Sequence, residues 1–441
     1  MLENIQTVLL EQCGLNHDHP VIAGVSGGPD SLCLMSILHK ARYRVIVAHF
    51  NHKLRPDADA DANVVEQTAA RLNIASVVES GDVRAFADAE KLSIEEAARI
   101  MRYRFLMAQA RRFKAQAVAV GHTADDQVET VLMHFLRGAG LTGLKGMSHR
   151  TILPAFDAEI PVVRPLLDVW REETLAFCVA SGLQPVMDPS NESLNFTRNR
   201  LRRTLIPILE TYNPRFREAV WRSAQTLKAD HAILRETVET AWQKCVKSQD
   251  ADMIVFDLPE LMTFSGSMQR NLLRLAVAYL RPSQETGFAL LNRATAFIKD
   301  PAATRTDLSG GLKLFREGTS LYLTTPGANL PLRQWPQIPE EMVPVKLSVP
   351  GVVEFPDGWK LSVESWRLPA LAREQAAANR DPFQVWLDAE RLPDGLELRT
   401  RQAGDRFEPL GLEGHSQKLS DFMVNVKMPQ RARDNWPLVC A

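Results

Sequence analysis

The sequence predicts an α/β protein: a doubly wound parallel sheet covered by helices on both faces, then a mainly helical domain, then a small C-terminal α+β domain. Three observations carry that prediction. Residues 21–167 alternate short β-branched runs with longer segments whose apolar residues recur at spacings of three and four. Past Asp188-Pro189 long helical patterns dominate. Prolines 326, 331, 336, 339, 344, 350 and 356 then interrupt regular structure ahead of a set of alternating segments. The expected domains are residues 1–200, 201–330 and 340–441.

The strands of the first domain are expected at 21–26 (VIAGVS), 45–50 (VIVAHF), 75–80 (ASVVES), 117–122 (AVAVGH) and 160–167 (IPVVRPLL). Between them Ser31–Arg42, Ala58–Leu72, Ile94–Phe113 and Thr123–Leu136 have the periodicity of amphipathic crossover helices. Such a sheet opens its ligand crevice at the C-terminal ends of the strands. Long helices are expected over Leu201–Leu209, Pro214–Cys245 and Gly266–Lys299, with a hairpin within 308–325 in which Gly310-Gly311 is only a turn. VKLSVPGVVEF, a Pro-Asp-Gly turn and WKLSVESW then alternate as a β-hairpin, and VWLDAERL adds a strand.

Composition bounds the function. At 441 residues the chain exceeds what one hydrophobic core organises. With 45% hydrophobic and 24% charged residues it is globular, neither disordered nor membrane-spanning. Lys+Arg of 52 against Asp+Glu of 53 leaves net charge −1, so any polyanion site is a local patch. The five cysteines, 13, 33, 178, 245 and 440, form no CxxC, which argues against a disulfide framework or a zinc or iron–sulfur site and suits a reducing cytoplasm. The N-terminus lacks the charged-then-apolar pattern of a secretion signal, so the expected location is the cytoplasm, with no membrane contact.

The strongest motif is Ser26-Gly27-Gly28-Pro29-Asp30-Ser31, where the first strand passes into a helix. Two glycines open the backbone to an anion, and their N–H groups with the helix N-terminus make a phosphate nest. It lacks the lysine of a Walker A loop and the GxGxxG spacing of a dinucleotide fold. A glycine turn with a Ser/Asp cap is the structural alternative, but the strand–turn–helix context favours phosphate. A second string, Gly121-His122-Thr123-Ala124-Asp125-Asp126-Gln127-Val128-Glu129-Thr130, occupies the same position after the fourth strand. Asp125 and Asp126 stand four and three residues before Glu129, so the carboxylates converge on one helix face, fit to hold Mg²⁺, an ammonium group or a proton. Dipole complementation in the first turn accounts for one of them, not for the string.

Three further segments point to the same crevice. Ala48–Arg55 (AHFNHKLR) follows the second strand, with His52 as readily a loop residue as a ligand. Arg99 and Arg102, three apart on one helix, are spaced to grip a phosphate or to pair with Glu95 and Glu96. Residues 136–147 (LRGAGLTGLKGM) are too glycine-rich for a helix and suggest a mobile loop.

In order and spacing SGGPDS, AHFNHKLR, EEAARIMRYRF, GHTADDQVET, LRGAGLTGLKGM, RPLL and DPSNESLNFTRNRLR resemble the tRNA(Ile)-lysidine synthase family, within the PP-loop, adenine nucleotide alpha hydrolase-like ATP pyrophosphatases. The resemblance spans the whole chain. It implies that the wobble cytidine C2 carbonyl oxygen attacks the α-phosphorus of ATP, releasing pyrophosphate, and that lysine then displaces AMP. The implied partners are tRNA(Ile) with a CAU anticodon and L-lysine, the implied product reads AUA in place of AUG, and the oligomeric state stays open, a homodimer included. ATP contacts are implied for Ser26, Gly27, Gly28, Pro29, Asp30, Ser31, His49, Asn51, Gly121 and His122; catalytic roles for Asp30, Arg99, Arg102, Asp125, Asp126 and Glu129; tRNA contacts for Arg198, Asn199, Arg200 and Arg202. Asp30 is the candidate Mg²⁺ ligand. Family members usually continue past Trp436-Pro437-Leu438-Val439 into further strand-forming residues, whereas this chain stops at Ala441, so the resemblance implies either a trimmed last domain or an incomplete end.

The residues support a polyanion partner independently. Between 195 and 235 lie nine basic residues (Arg198, Arg200, Arg202, Arg203, Arg215, Arg217, Arg222, Lys228, Arg235) against Glu210, Glu218 and Asp230, a local +6. A merely solvated helix face intersperses the signs. Residues 396–441 hold seven basic and six acidic side chains, so RNA binding there is implied only by the resemblance. Two rival classes remain: another ATP-adenylating enzyme with the same loop, and an RNA-binding protein with a dead nucleotide fold. An ammonia-dependent nucleotide synthetase does not need the 195–235 stretch, and a tRNA thiolation enzyme needs reactive sulfur, whereas Cys33 sits in an apolar helix. An RNA-binding protein with a dead nucleotide fold would tolerate loss of the loop's Ser and Asp, which are intact.

Overall fold

The computed structural model describes residues 2–54, 58–186, 197–282, 287–326, 328, 330, 332, 335–356, 358–366, 378–381, 383–392, 395–408 and 415–441. The expected boundary at Asp188-Pro189, Arg55, Pro331 and Asp357 of the Pro-Asp-Gly turn lie outside the described residues, as do 188–196 of the DPSNESLNFTRNRLR string. The chain divides into two compact units, Met1–Lys244 with Val277–Glu285, and Cys245–Ala276 with Thr286–Ala441.

The first unit is built on six strands, β1 (Val21–Gly24), β2 (Val45–Asn51), β3 (Ala75–Ser80), β4 (Ala117–Val120), β5 (Arg150–Leu153) and β6 (Asp157–Val163), in the order β3-β2-β1-β4-β6-β5. All neighbours are parallel except β5 and β6, a hairpin that the sequence reading missed. The helices are α1 (Leu2–Thr7), α2 (Pro29–Lys40), α3 (Ala58–Arg71), α4 (Val83–Glu90), α5 (Ile94–Arg112), α6 (Ala124–Leu136), α7 (Leu141–Leu144) and α8 (Arg171–Ala180). Strand β2 is buried throughout, as a central parallel strand with both faces covered must be. The two-residue period of β1 sends Val21 and Ala23 into a core shared with α2, α3 and α8, and Ile22 into one shared with α4 and α5. Cys33 is fully buried in the first, as expected.

The chain leaves β1 toward β2 and β3, then returns to lay β4 on the other side of β1. That reversal opens a crevice at the C-terminal ends of β1 and β4, where both motifs lie. Beyond α8, helical turns run Thr197–Arg200 (α9), Leu201–Leu205 in π form and Ile206–Tyr212 (α10), followed by the 30-residue α11 (Phe216–Cys245). Leu201 and Ile206 pack on Val128 and Leu132 of α6, with Trp170, Phe216 and Trp221 around them.

In the second unit the expected single hairpin is part of a five-stranded antiparallel sheet, ordered Val246–Gln249, Met253–Asp257, Ser320–Thr324, Lys313–Glu317, Arg305–Asp307. Gly310 and Gly311, with φ of +77° and +75°, turn the chain between the last two strands, as expected. The pattern over 266–299 resolves into two helices, Gly266–Leu280 and Phe288–Lys299. Gly351–Glu354 and Lys360–Val363 form the expected hairpin. VWLDAERL contains no strand: the Asp388 carboxylate accepts from the Glu390 N–H and caps a 3₁₀ turn, Ala389–Arg391, which ends any extended run. No described helix is long and apolar enough to cross a membrane.

Candidate active site

Between β1 and α2 the loop closes on itself. Ser26 N–H donates to Ser31 Oγ at 3.1 Å, and Ser31 Oγ donates to the Gly28 carbonyl at 2.9 Å. Gly27 adopts φ +89°, a conformation that disfavours any side chain. Gly28 caps the helix without a side chain, and Pro29 at its first position contributes a preset φ. The first-turn N–H groups of α2 therefore point, unpartnered within the helix, at the space above the loop. His49 donates Nδ1–H to the Val25 carbonyl at 2.7 Å, tying the end of β2 to the loop, and burial pushes its pKa down. Asn51 is committed elsewhere: its amide donates to Asp59 and its oxygen accepts from Lys53 N–H.

Gly121 presses the second motif onto the first, because a Cβ there would stand 3.0 Å from the Asp30 carbonyl oxygen. Thr123 caps α6, and Asp126 accepts from both its N–H and its hydroxyl at 2.9 Å, closing a capping box at the start of the helix. Around these lie four carboxylates, Asp30, Asp125, Asp126 and Glu129, each held by an arginine. Arg171, the first residue of α8, reaches Asp30 and Asp126 at 3.2 Å and Glu129 at 3.9 Å, while its N–H donates to Asp125 at 2.8 Å. Thr174 donates to the other Asp30 oxygen. Arg202 is bidentate on Glu129 at 2.7 and 3.2 Å, and Arg217 bridges Asp125 and Glu210 at 3.1 and 2.7 Å.

Burial pushes Asp30 and Glu129 up from the ordinary carboxylate range, against the pull of these donors. Burial also opposes the charge on Asp126, yet Arg171 and the Thr123 donors keep its carboxyl below that range. For Arg171 burial is outweighed by the carboxylates, Asp126 first, which raise its pKa.

A cationic group adjoins. Arg99 and Arg102 are solvent-exposed and, among the described residues, neither pairs with Glu95 or Glu96, so the helix-surface alternative is not realised. Desolvation by the surrounding protein, then the neighbouring Arg99 and Arg198 guanidiniums, lower the pKa of Arg102. Burial pushes His122 to about 3 and keeps it neutral, so that its Nδ1 accepts from Arg164 Nε at 3.2 Å. Arg102, Arg164 and Arg198 all stand near that imidazole. The crevice is thus divided: arginines on the His122 side suit phosphate, carboxylates on the α6 side suit a cation.

The sequence-level candidates converge in part. Ser26–Ser31, His49, Gly121, His122, Asp125, Asp126 and Glu129 line or brace the crevice, and Arg99, Arg102 and Arg198 form its cationic side. Arg202, expected on RNA phosphate, sits instead on Glu129; Arg200 is exposed with its guanidinium near Thr197, and Asn199 is buried. The glycine-rich 136–147 segment, expected to be a mobile loop without helix, contains the turn α7 and is pinned: Gln127 exchanges bonds with Met147 at 2.7 and 3.1 Å, and His134 donates to Gly143 at 2.7 Å. A Cβ at Gly146, φ +67°, would collide with Gln127 at 2.6 Å. Arg164 was legible only as part of RPLL; Arg171, a lone arginine opening a helix, carried no sequence signal.

Among the described residues no cluster of three His, Cys, Asp or Glu side chains is arranged to hold a metal. Both Asp30 oxygens already accept hydrogen bonds. The donor set fits only a magnesium ion that arrives on nucleotide phosphates and takes a single carboxylate from the protein.

A phosphate nest at the switch point of a parallel sheet, facing arginines and carboxylates, defines a nucleotide-binding α/β domain of the PP-loop class, and residues 1–209 match the PP-loop domain family. Residues 396–441 match the TilS substrate C-terminal domain. Over its full length the chain is 33% identical to the tRNA(Ile)-lysidine synthase of Dehalococcoides mccartyi, covering 92% of it, and 31% identical to that of Symbiobacterium thermophilum, covering 91%. The chain belongs to the tRNA(Ile)-lysidine synthase family. A solved U34-tRNA thiolase, NcsA of Methanococcus maripaludis, aligns with TM-score 0.43 and 18% identity over 51% of this chain and 78% of its own.

Proposed function

We propose that this protein is a cytoplasmic ATP-dependent ligase that joins L-lysine to C2 of the wobble cytidine in tRNA(Ile) with a CAU anticodon, forming a carbon–nitrogen bond and releasing pyrophosphate and AMP. Full-length kinship with lysidine synthases supports the chemistry, and the observation that carries it is Gly121 packed on Asp30, which unites phosphate nest and carboxylate group in one crevice.

In the first step the cytidine C2 carbonyl oxygen attacks the α-phosphorus, and the bond to the β,γ-diphosphate breaks. The 26–31 nest holds the departing pyrophosphate with fixed N–H groups, and Arg99 and Arg102 balance charge on the α-phosphate. Asp30 would hold Mg²⁺, which when bound neutralises phosphate charge. In the second step the lysine ε-amine attacks C2, and the C–O bond breaks with AMP leaving on its oxygen. Lysine enters as an ammonium and attacks only after losing a proton, so a carboxylate among Asp125, Asp126 and Glu129 first binds and then deprotonates it. Glu129, buried and raised by that burial, is the best placed base.

Transfer of radiolabelled lysine to bulk tRNA is the test. Incorporation that requires ATP is expected; none with folded protein and ATP overturns the assignment.

A further inference from the structure

Glu129 is 1% exposed, and its carboxylate is already filled. Arg202 donates Nε to Oε1 at 2.7 Å and a terminal nitrogen to Oε2 at 3.2 Å, a side-on bidentate pair, with Arg171 behind at 3.9 Å. A guanidinium on a flexible stem is a close stand-in for the ammonium of a lysine side chain, and the two cannot occupy the same oxygens.

The helical turn that carries Arg202 touches both halves of the crevice. Leu201 and Ile206 fix it against α6 through Val128 and Leu132, which delivers Arg202 to Glu129. Arg198, one turn earlier on the same face, stands beside Arg102 and His122, where phosphate is expected. RNA backbone that engages this turn therefore meets Arg202, and a phosphate offers a guanidinium the same two-oxygen fork as a carboxylate. Arg171 does not share this freedom, because Asp30, Asp126 and the Asp125 contact of its N–H anchor it from several sides.

We propose that Arg202 is a cationic plug: in the RNA-free protein it occupies the lysine subsite on Glu129, and an RNA phosphate draws it away, so that lysine enters only after RNA. The proposal rests on the reading of Glu129 as the acceptor for lysine. It makes substrate order a property of one side chain and keeps the amine out until the cytidine is in place. Arg171, left behind at 3.9 Å, tempers the buried charge on Glu129 during the exchange.

The test is equilibrium dialysis of radiolabelled lysine against the full-length protein at pH 8, without ATP, with and without saturating tRNA. The wild type is expected to bind lysine roughly tenfold or more weakly without RNA than with it. Arg202→Ala, or Arg202→Gln should the alanine variant lose its melting transition, is expected to bind lysine without RNA as tightly as wild type does with it. Arg202→Lys, which keeps a cation on Glu129, should stay blocked. Adding Glu129→Gln to Arg202→Ala should remove binding. Equal wild-type affinity with and without RNA, or a persistent RNA requirement in both neutral variants, overturns the plug and leaves the proposed function standing. Lysine binding that ignores Glu129 in every protein overturns the assignment of lysine to Glu129, and the plug with it.

Discussion

Gly121 and Asp30 are in backbone contact: a Cβ added to Gly121 would lie 3.0 Å from the Asp30 carbonyl carbon and oxygen and 3.1 Å from Ser31 N. Real Cβ atoms rarely approach so closely, and backbone of a capped helix does not yield as the tip of a long side chain does. The two motifs are therefore packed backbone to backbone, an approach that the absence of a side chain at Gly121 permits.

Gly121→Ala should separate them. The added methyl forces β4 or the first turn of α2 to shift, at a stability cost of about 1–3 kcal/mol. Melting curves should show a lowered but cooperative transition, and calorimetry should show ATP affinity reduced about tenfold or more. Unchanged ATP affinity would mean that the loop adapts and the contact is incidental.

Asp30→Ala should abolish pyrophosphate release in the presence of tRNA while leaving the fold intact. Arg171 keeps Asp126 and Glu129 as partners when Asp30 is removed, so no buried cation is stranded. Thr174→Val, which removes one donor to Asp30, should slow release less than the alanine variant does. Release at the wild-type rate in folded Asp30→Ala would eliminate Asp30 as a magnesium ligand.

Much of the first unit was legible because period and punctuation agree there: buried parallel strands form unbroken apolar runs, and each motif sits where strand gives way to helix. The β5–β6 hairpin was not, since Arg150–Leu153 is short and alternates exposed with half-buried residues. Val246–Gln249 is polar and exposed at a sheet edge, so the five-stranded sheet showed only its hairpin in the sequence. In the site, glycines and carboxylates announced themselves by spacing. The arginines that neutralise the carboxylates did not, because Arg171, Arg202 and Arg217 come from three separate helical segments that only packing brings together.

Charge reversal at Arg198, Arg200 and Arg202 should weaken tRNA binding far more than ATP binding. The structure divides the expected effect. Arg200→Glu, exposed and outside the ion-pair network, should lower the salt slope of binding by about one per lost phosphate contact and leave lysine transfer intact at saturating RNA. Arg198→Glu, beside Arg102, should impair adenylation as well. Filter-binding titrations at several salt concentrations read the slope; an unchanged slope in all three would move the RNA path elsewhere.

Stability should fall as pH drops from 6.5 toward 4 through His52. Burial, then Arg102, push its pKa to about 4, and its buried Nδ1 has no hydrogen-bond partner among the described residues. Below 6.5 the unfolded chain binds the proton that the folded state refuses, so unfolding becomes easier by on the order of 1–3 kcal/mol at the acid end of that window. Denaturant titrations of wild type and His52→Asn across these pH values should converge at acid pH relative to neutral pH. Parallel curves would show that His52 titrates normally.

The two half-reactions should come apart at Glu129. The carboxyl faces arginines in the resting protein and, in the proposed chemistry, is needed only when an ammonium must be bound and deprotonated. Glu129→Gln keeps the shape and an acceptor oxygen for Arg202, so the helix packing through Leu201 and Ile206 should survive. With α-labelled ATP, this variant and Asp125→Asn should accumulate label on tRNA yet fail to transfer lysine, whereas Asp30→Ala should never label tRNA at all. The arginine side of the crevice, Arg99 and Arg102, is untouched by these changes, which is why adenylation should persist. Loss of labelling in both carboxamide variants would instead place the α6 carboxylates on the nucleotide.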